Sequence, residues 1–394
     1  MAWNSVFYRR LAFFLLLCYF ASFKAIAEYC LAEECEYNKR RPELNLESLQ
    51  VLMRHGERTP RIQEMYPTDP YNLSTYEPWG LAQLTNKGKL TEFKIGTMLR
   101  QRYKDFLESI SYPQDIYAIS SDSLRTKMSL QLMLAGLFPP NTSLLWNPNL
   151  LWLPMPTYHV PKKLDILFKS ENCPIYKEAI AETKKLKEIQ DQFAVYEDLY
   201  KFVNNKTGKI NENILDLYNL LTAQKNMNLT LPEWCTNNVY LQMQQIVVLE
   251  YKIRSYTTLL KRLNGGMFIK RFIENLNKHS NPRKIYAYCG HDTNIAGFAR
   301  AQNISKPRLP DYGSAFLIEK LRDDSDKLFI KILFWTGVTE KLIVVKVPGC
   351  DEICPLETYL ELVRDVIPLE EEISCFIDNI NRDDMLELFT KDRI

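Results

Sequence analysis

Short apolar runs and segments of helical spacing alternate along the first part of the chain. The run Leu46 to Met53 has strand length and ends at Arg54. Thr59 to Trp79 is rich in Pro, Tyr and Asp and keeps no period, which predicts a loop beyond that strand's end. Thr85 can cap a helix whose apolar positions Leu90, Phe93, Ile95, Met98 and Leu99 carry it through Phe106. A short strand follows over 115–120, then a helix over 123–137 stopped by Pro139-Pro140. This alternation predicts an α/β fold with a mostly parallel central sheet flanked by helices.

From Pro154 the pattern changes. Residues 160–230 are helical in spacing, rich in Lys and Glu, and broken at points such as Asn204-Asn205-Lys206-Thr207-Gly208. No strand run of the earlier kind occurs there. The segment predicts an inserted, mainly helical cap, approximately 154–236, in a core of approximately 44–153 and 237–394. A long helix over 238–263 is expected to end at Asn264-Gly265-Gly266, because glycine favours helix stops, with another helix running to about Lys278. The strand pattern returns at Lys284 to Tyr288. Segments 313–322, 327–336 and 340–347 alternate like an antiparallel meander, and 355–366 and 382–390 read as helices.

Residues 1–27 carry Arg9-Arg10, an apolar run Leu11–Phe23 and the small-residue pattern Ala25-Ile26-Ala27, the layout of a cleaved signal peptide. The run is too short to span a bilayer, so no membrane anchor is expected after cleavage. The remaining 28–394 are read as a single domain. Removing the leader takes three positive charges and no negative ones, moving the formal charge from +2 to −1. With 50 basic and 48 acidic residues there is no basic surplus to point to nucleic acid. Eight cysteines remain after Cys18 leaves, an even set that suits an oxidising compartment, although spacing alone does not fix their pairing. Five sequons, at Asn72, Asn141, Asn205, Asn228 and Asn303, predict glycosylated surface loops. These features place the protein outside the cell, with the lysosomal lumen as the alternative. A homodimer is compatible with the sequence, which does not specify oligomeric state.

Three strand ends carry charged residues followed by a helix: Arg54-His55-Gly56-Glu57-Arg58-Thr59-Pro60, Arg125, and His291-Asp292. In open α/β sheets ligands bind at the carboxyl ends of strands, so these segments are expected to converge. Arginine forks suit phosphate oxygens, and a histidine held between arginines stays neutral and is a candidate nucleophile. Gly56 would let the chain turn tightly. Taken alone, Arg125 reads equally as a surface residue and Asp292 as a helix cap. Glu57 is given no catalytic part, and His159 and His279 read as surface residues. No P-loop, metal-binding histidine pair or acidic metal cluster is present, so no metal or cofactor is expected.

The signature Arg54-His55-Gly56-x-Arg58-x-Pro60 with Gly290-His291-Asp292 resembles the histidine acid phosphatases, the acid-phosphatase branch of the histidine phosphatase superfamily. Ser120-Ser121-Asp122, Arg125-Thr126-Lys127-Met128-Ser129, Leu137-Phe138-Pro139-Pro140, Leu229–Trp234 and Pro348-Gly349-Cys350 to Cys354-Pro355-Leu356 look like insect venom acid phosphatases. The resemblance extends over about Leu46 to Cys375. It implies a small-molecule phosphate monoester as substrate and a covalent phosphohistidine on His55. It also implies phosphate binding by Arg54, Arg58, Arg125 and His291, and a proton from Asp292 to the leaving alcohol. It further implies the bridges Cys173–Cys375 and Cys350–Cys354. A third family bridge has no counterpart, because Ala315 stands where its cysteine is expected, which leaves Cys30, Cys35, Cys235 and Cys289 unassigned. The competing readings are a phytase, which needs extra cations on the cap side, and a catalytically weak binding homologue, against which the complete set of six residues counts.

Overall fold

Strand β1 (Asn45–Arg54) lies at the centre of an eight-stranded sheet. The computed structural model describes residues 44–110, 112–209, 213–276 and 283–374; the leader, His279, Cys375 and the expected helix at 382–390 lie outside them. Helix α1 (Asn86–Arg102) starts where Thr85 caps it, the hydroxyl accepting the Gly88 N–H. Strand β2 (Ile116–Ser121) and helix α2 (Leu124–Leu137) follow as the periodicity predicts. Strand β3 (Tyr158–Val160) was not expected, since three residues are too few to establish a period.

Four helices form the insertion: α3 (Pro174–Lys185), α4 (Lys187–Ala194), α5 (Glu197–Thr207) and α6 (Ile214–Asn226). The return to the core begins with α7 (Asn237–Ile253). Here the expected helix end is wrong. The chain breaks at 254–257, and Gly265-Gly266 lie inside a π-helical turn, Arg262–Gly266, that runs straight into α8 (Met267–Leu276). The glycines are there for contact. A Cβ on Gly265 would stand 2.0 Å from the Gly297 carbonyl oxygen, so only glycine lets the two backbones touch. The break upstream is held by Asn264, whose amide donates to the Arg254 carbonyl and to Ser255 Oγ.

Strand β4 (Ile285–Gly290) and helix α9 (Asp292–Ala301) precede β5 (Ala315–Arg322), β6 (Leu328–Trp335), β7 (Leu342–Val345), β8 (Ile353–Pro355) and helix α10 (Leu356–Val363). The order is β3-β2-β4-β1-β5-β6-β7, with β8 beside β6. Pairs β1–β4, β2–β4 and β2–β3 are parallel; β6 pairs antiparallel with β7 and β8. The sheet is therefore mixed and mostly parallel, as the alternation implied.

Alternation along β1 and β4 divides the core into two layers. Leu49, Val51, Met53, Ile285, Ala287 and Cys289 pack with α1 and α2, whereas Leu52, Tyr286 and Tyr288 pack with α8 and α9. Gln50 is the polar exception and is satisfied: it donates to the Phe272 carbonyl and accepts from Asn275. Helices α5, α6 and α7 form a separate apolar cluster that takes in Tyr66, so the loop beyond β1 is pinned beneath the cap.

The fold divides into two units, and sheet, cap and strand-end loops belong to the larger, Leu46–Leu321 resuming at Leu328. Of the smaller, the described part is residues 44–45 and the turn Arg322–Lys327, where Asp323 accepts the Ser325 and Lys327 N–H groups. Cys350 and Cys354 are bridged, and Cys235 and Cys289 are buried thiols. Cys173 is buried, and its expected partner Cys375 lies outside the described residues. Ala315 is buried in β5. Among the described residues no helix is long and apolar enough to cross a membrane.

Candidate active site

Parallel register sets the ends of three strands side by side: Arg54 lies opposite Gly290, and Ser120 opposite Cys289. His55 follows β1, His291 and Asp292 follow β4, and Arg125 stands in the first turn of α2. The fold thus brings all six residues together at one rim. A Cβ on Gly56 would lie 2.6 Å from the Gly88 carbonyl oxygen, so glycine allows the signature to lie against the start of α1. Ser129 of α2 accepts the Gly56 N–H at 3.1 Å.

His55 is buried, with Nδ1 2.9 Å from the Gly56 carbonyl oxygen. A carbonyl only accepts, so Nδ1 carries the hydrogen and Nε2 keeps its lone pair. Burial, then Arg125, Arg54 and Arg58, holds its pKa well below the usual imidazole value. The ring is neutral into the acid range.

The arginines are constrained unequally. Arg54 donates to the Pro310 carbonyl, pairs with Asp292 at 2.9 Å and stacks over Tyr312 at 4.1 Å. Arg58 forms a two-point pair with Glu64 at 2.8 and 2.7 Å. Arg125 approaches Nδ1 of His291 at 3.4 Å. In all three, Nε–H is buried and makes no hydrogen bond within the described protein. A buried donor without an acceptor costs roughly 1–3 kcal/mol, so three around one imidazole mark an anion site.

Asp292 is the first residue of α9 rather than its cap, a position taken by His291. Burial favours its neutral form, but Arg54, the Thr293 N–H, Arg58 and Tyr251 outweigh this and hold its pKa below the usual carboxylate value. His291 Nε2 lies 3.0 Å from Ser121 Oγ, and the Thr126 hydroxyl donates to the Ser121 carbonyl, so a polar chain fixes the ring. Burial, then Lys169, Arg125 and His55, pushes the His291 pKa down as well.

Tyr251, Tyr312, Glu64 and Ser121 were missed as site residues. They sit in α7, a loop, a 3-10 turn and a strand end, where no local pattern distinguishes them. Glu57 is buried, accepts from Thr85 Oγ1 and pairs with Lys87. His159 is exposed, as expected.

The model of the histidine phosphatase superfamily, branch 2, matches residues 45–335. The chain is 35% identical over 347 residues to the venom acid phosphatase of Apis mellifera, spanning 84% of this chain and 89% of that protein. It is 30% identical to prostatic acid phosphatase of Homo sapiens, spanning 85% and 89%. A solved structure of Hafnia alvei phytase with myo-inositol hexakis sulphate superposes with a TM-score of 0.62 at 17% identity, over 82% of this chain and 98% of that one. That last likeness is one of fold. The family match and these identities over most of the chain make it a member of the histidine phosphatase superfamily, branch 2.

Proposed function

We propose that the protein is an acid phosphatase that hydrolyses phosphate monoesters through a phosphohistidine on His55. The observation that carries this is the neutral His55, its Nε2 lone pair bare, among three guanidiniums with unused buried donors. The lone pair forms an N–P bond as the P–O ester bond breaks, and Asp292 gives the leaving oxygen its proton. Water then attacks phosphorus, Asp292 takes the proton from the water, and the N–P electrons return to Nε2 as inorganic phosphate forms. Arg54, Arg58 and Arg125 neutralise the equatorial oxygens throughout.

Asp292 is held ionised by Arg54, so its proton must arrive with the substrate. A monoester bearing one proton, abundant below its second pKa of about 6, brings it. Phosphate bound beside the carboxylate then raises the Asp292 pKa by like-charge repulsion. Arg125 can only donate, so without substrate His291 Nδ1 accepts and Nε2–H points to Ser121 Oγ. Once Arg125 turns to the phosphate, the other tautomer, with Ser121 donating to Nε2, lets Nδ1–H donate to a phosphoryl oxygen.

Secretion, signal cleavage and glycosylation belong to the same reading, supported by all five sequon asparagines being exposed, although Asn205 lies in the last turn of α5 and not in a loop. The test is rapid quenching during turnover of an aryl phosphate. An acid-labile phosphoryl group is expected on His55, and His55→Ala is expected to lose about 10⁴-fold or more in kcat while keeping its fold. Retained turnover in that variant rules out the mechanism. A parallel assay on inositol hexakisphosphate separates the phytase reading, which a clear preference for that substrate would favour.

A further inference from the structure

Arg58 owes its orientation to a residue outside the signature. The chain turns back through the 3-10 segment Ile62–Glu64, and this brings Glu64, fully buried, against Arg58. Four N–H donors converge on its carboxylate: Arg58 Nη1 at 2.8 Å, Arg58 Nη2 at 2.7 Å, the Arg61 backbone at 2.8 Å and Arg61 Nε at 2.6 Å. That matches the roughly four lone-pair sites of a carboxylate. Burial favours the neutral acid, but Arg58 and Arg61 outweigh it, so the carboxylate stays charged below the usual range.

The geometry decides which edge of Arg58 faces the phosphoryl group. Glu64 occupies the end formed by Nη1 and Nη2, and Thr59 takes the remaining Nη1 hydrogen through its carbonyl. What is left is the side edge, Nε–H with the second Nη2–H, and Nε is the buried donor without a partner. Beyond Glu64 the chain of charges continues: Arg61 Nη2 donates to Asp216 of α6 at 2.7 Å. The path Arg58–Glu64–Arg61–Asp216 is continuous at hydrogen-bond distance from the clamp to the cap.

Resting on the catalytic reading above, we propose that Glu64 is a positioning residue that fixes the side edge of Arg58 toward the phosphoryl group, and that Arg61 and Asp216 tie this constraint to the cap. A cap that shifted would be felt at the clamp through this path, so leaving-group fit and phosphoryl stabilisation are linked. A carboxylate serving stability alone would have no reason to reach both the catalytic arginine and the cap.

The experiment compares wild type with Glu64→Gln, Glu64→Asp, Asp216→Asn and the double variant Glu64→Gln/Asp216→Asn. It measures kcat, KM, the phosphohistidine formation rate and Tm with an aryl phosphate. Glu64→Gln keeps shape but loses charge, and a loss of alignment should lower kcat about 10–100-fold with KM within about threefold. Glu64→Asp, which keeps the charge, should recover part of that loss. Asp216→Asn is expected to lower kcat about three- to tenfold, and the double variant to be no worse than Glu64→Gln, because the two act in series. A lowered Tm with phosphohistidine forming at the wild-type rate in Glu64→Gln would overturn the proposal, as would additive losses in the double variant. If Glu64→Gln does not fold, a wild-type rate in Asp216→Asn overturns it alone. Absence of phosphohistidine in the wild type would instead refute the catalytic reading, and this proposal with it.

Discussion

At the scale of single residues, the site is prepared for acid conditions by lowering pKa values. His55 and His291 stay neutral because burial and nearby cations oppose a further positive charge. A depressed imidazole keeps its lone pair as pH falls through the ordinary value of about 6.5. The pH profile of kcat/KM, which reports the free enzyme, should therefore show no acid limb near 6.5. Its fall on the alkaline side should follow loss of the substrate's own proton, since Asp292 is already ionised. Asp292→Asn removes the proposed proton carrier, so its loss, about 10²–10⁴-fold, should be greater for alkyl than for aryl esters, whose leaving groups need less help. Steady-state rates on matched ester pairs across pH 4–8 provide the check, and equal losses for both esters would contradict the acid role.

Elements were legible in proportion to the regularity of their period. Strand β1, helices α1 and α2, strand β4 and the β5–β7 meander came directly from the spacing of apolar residues, and the signature, with the separate segment that carries Arg125, named six residues that the fold brings together. Misreadings arose where tertiary contact outweighed local preference. Gly265-Gly266 look like a helix stop, yet backbone contact with Gly297 keeps them inside a continuous helix. The break at 254–257 shows no such signal, because its bonds come from Asn264, nine and ten residues downstream and beyond the break itself. Glu64 escaped for a similar reason: it is a buried acid whose purpose depends on where a turn places it. The same contact makes Gly265 intolerant of a side chain. Gly265→Ala should cost about 3 kcal/mol or somewhat less, the scale of overpacking in a dense core. Thermal melting should show it, while the phosphohistidine chemistry persists below the new midpoint.

At the scale of the whole molecule, one pocket is assembled from widely separated parts of the chain. Arg54 and Asp292 form an ion pair, yet the entire cap lies between them in sequence. The central strand β1 pairs with β4 and β5, both of which lie beyond residue 284. This has a consequence for synthesis. While the chain grows from its N-terminus, α1 and α2 soon become available to Leu49, Val51 and Met53, but both strands that border β1, and the helices α8 and α9 that cover Leu52, are made much later. Pairing so distant is intrinsically slow, and an apolar strand with open edges invites aggregation. Chains released before about residue 290 should therefore pellet or bind chaperones, and protease resistance of residues 44–137 should appear only once β4 and β5 have been translated. A soluble, protease-resistant fragment ending before β4 would show that the first strands fold unaided. Otherwise His55, the proposed nucleophile, waits, unprotected, for the partner strands that complete its pocket.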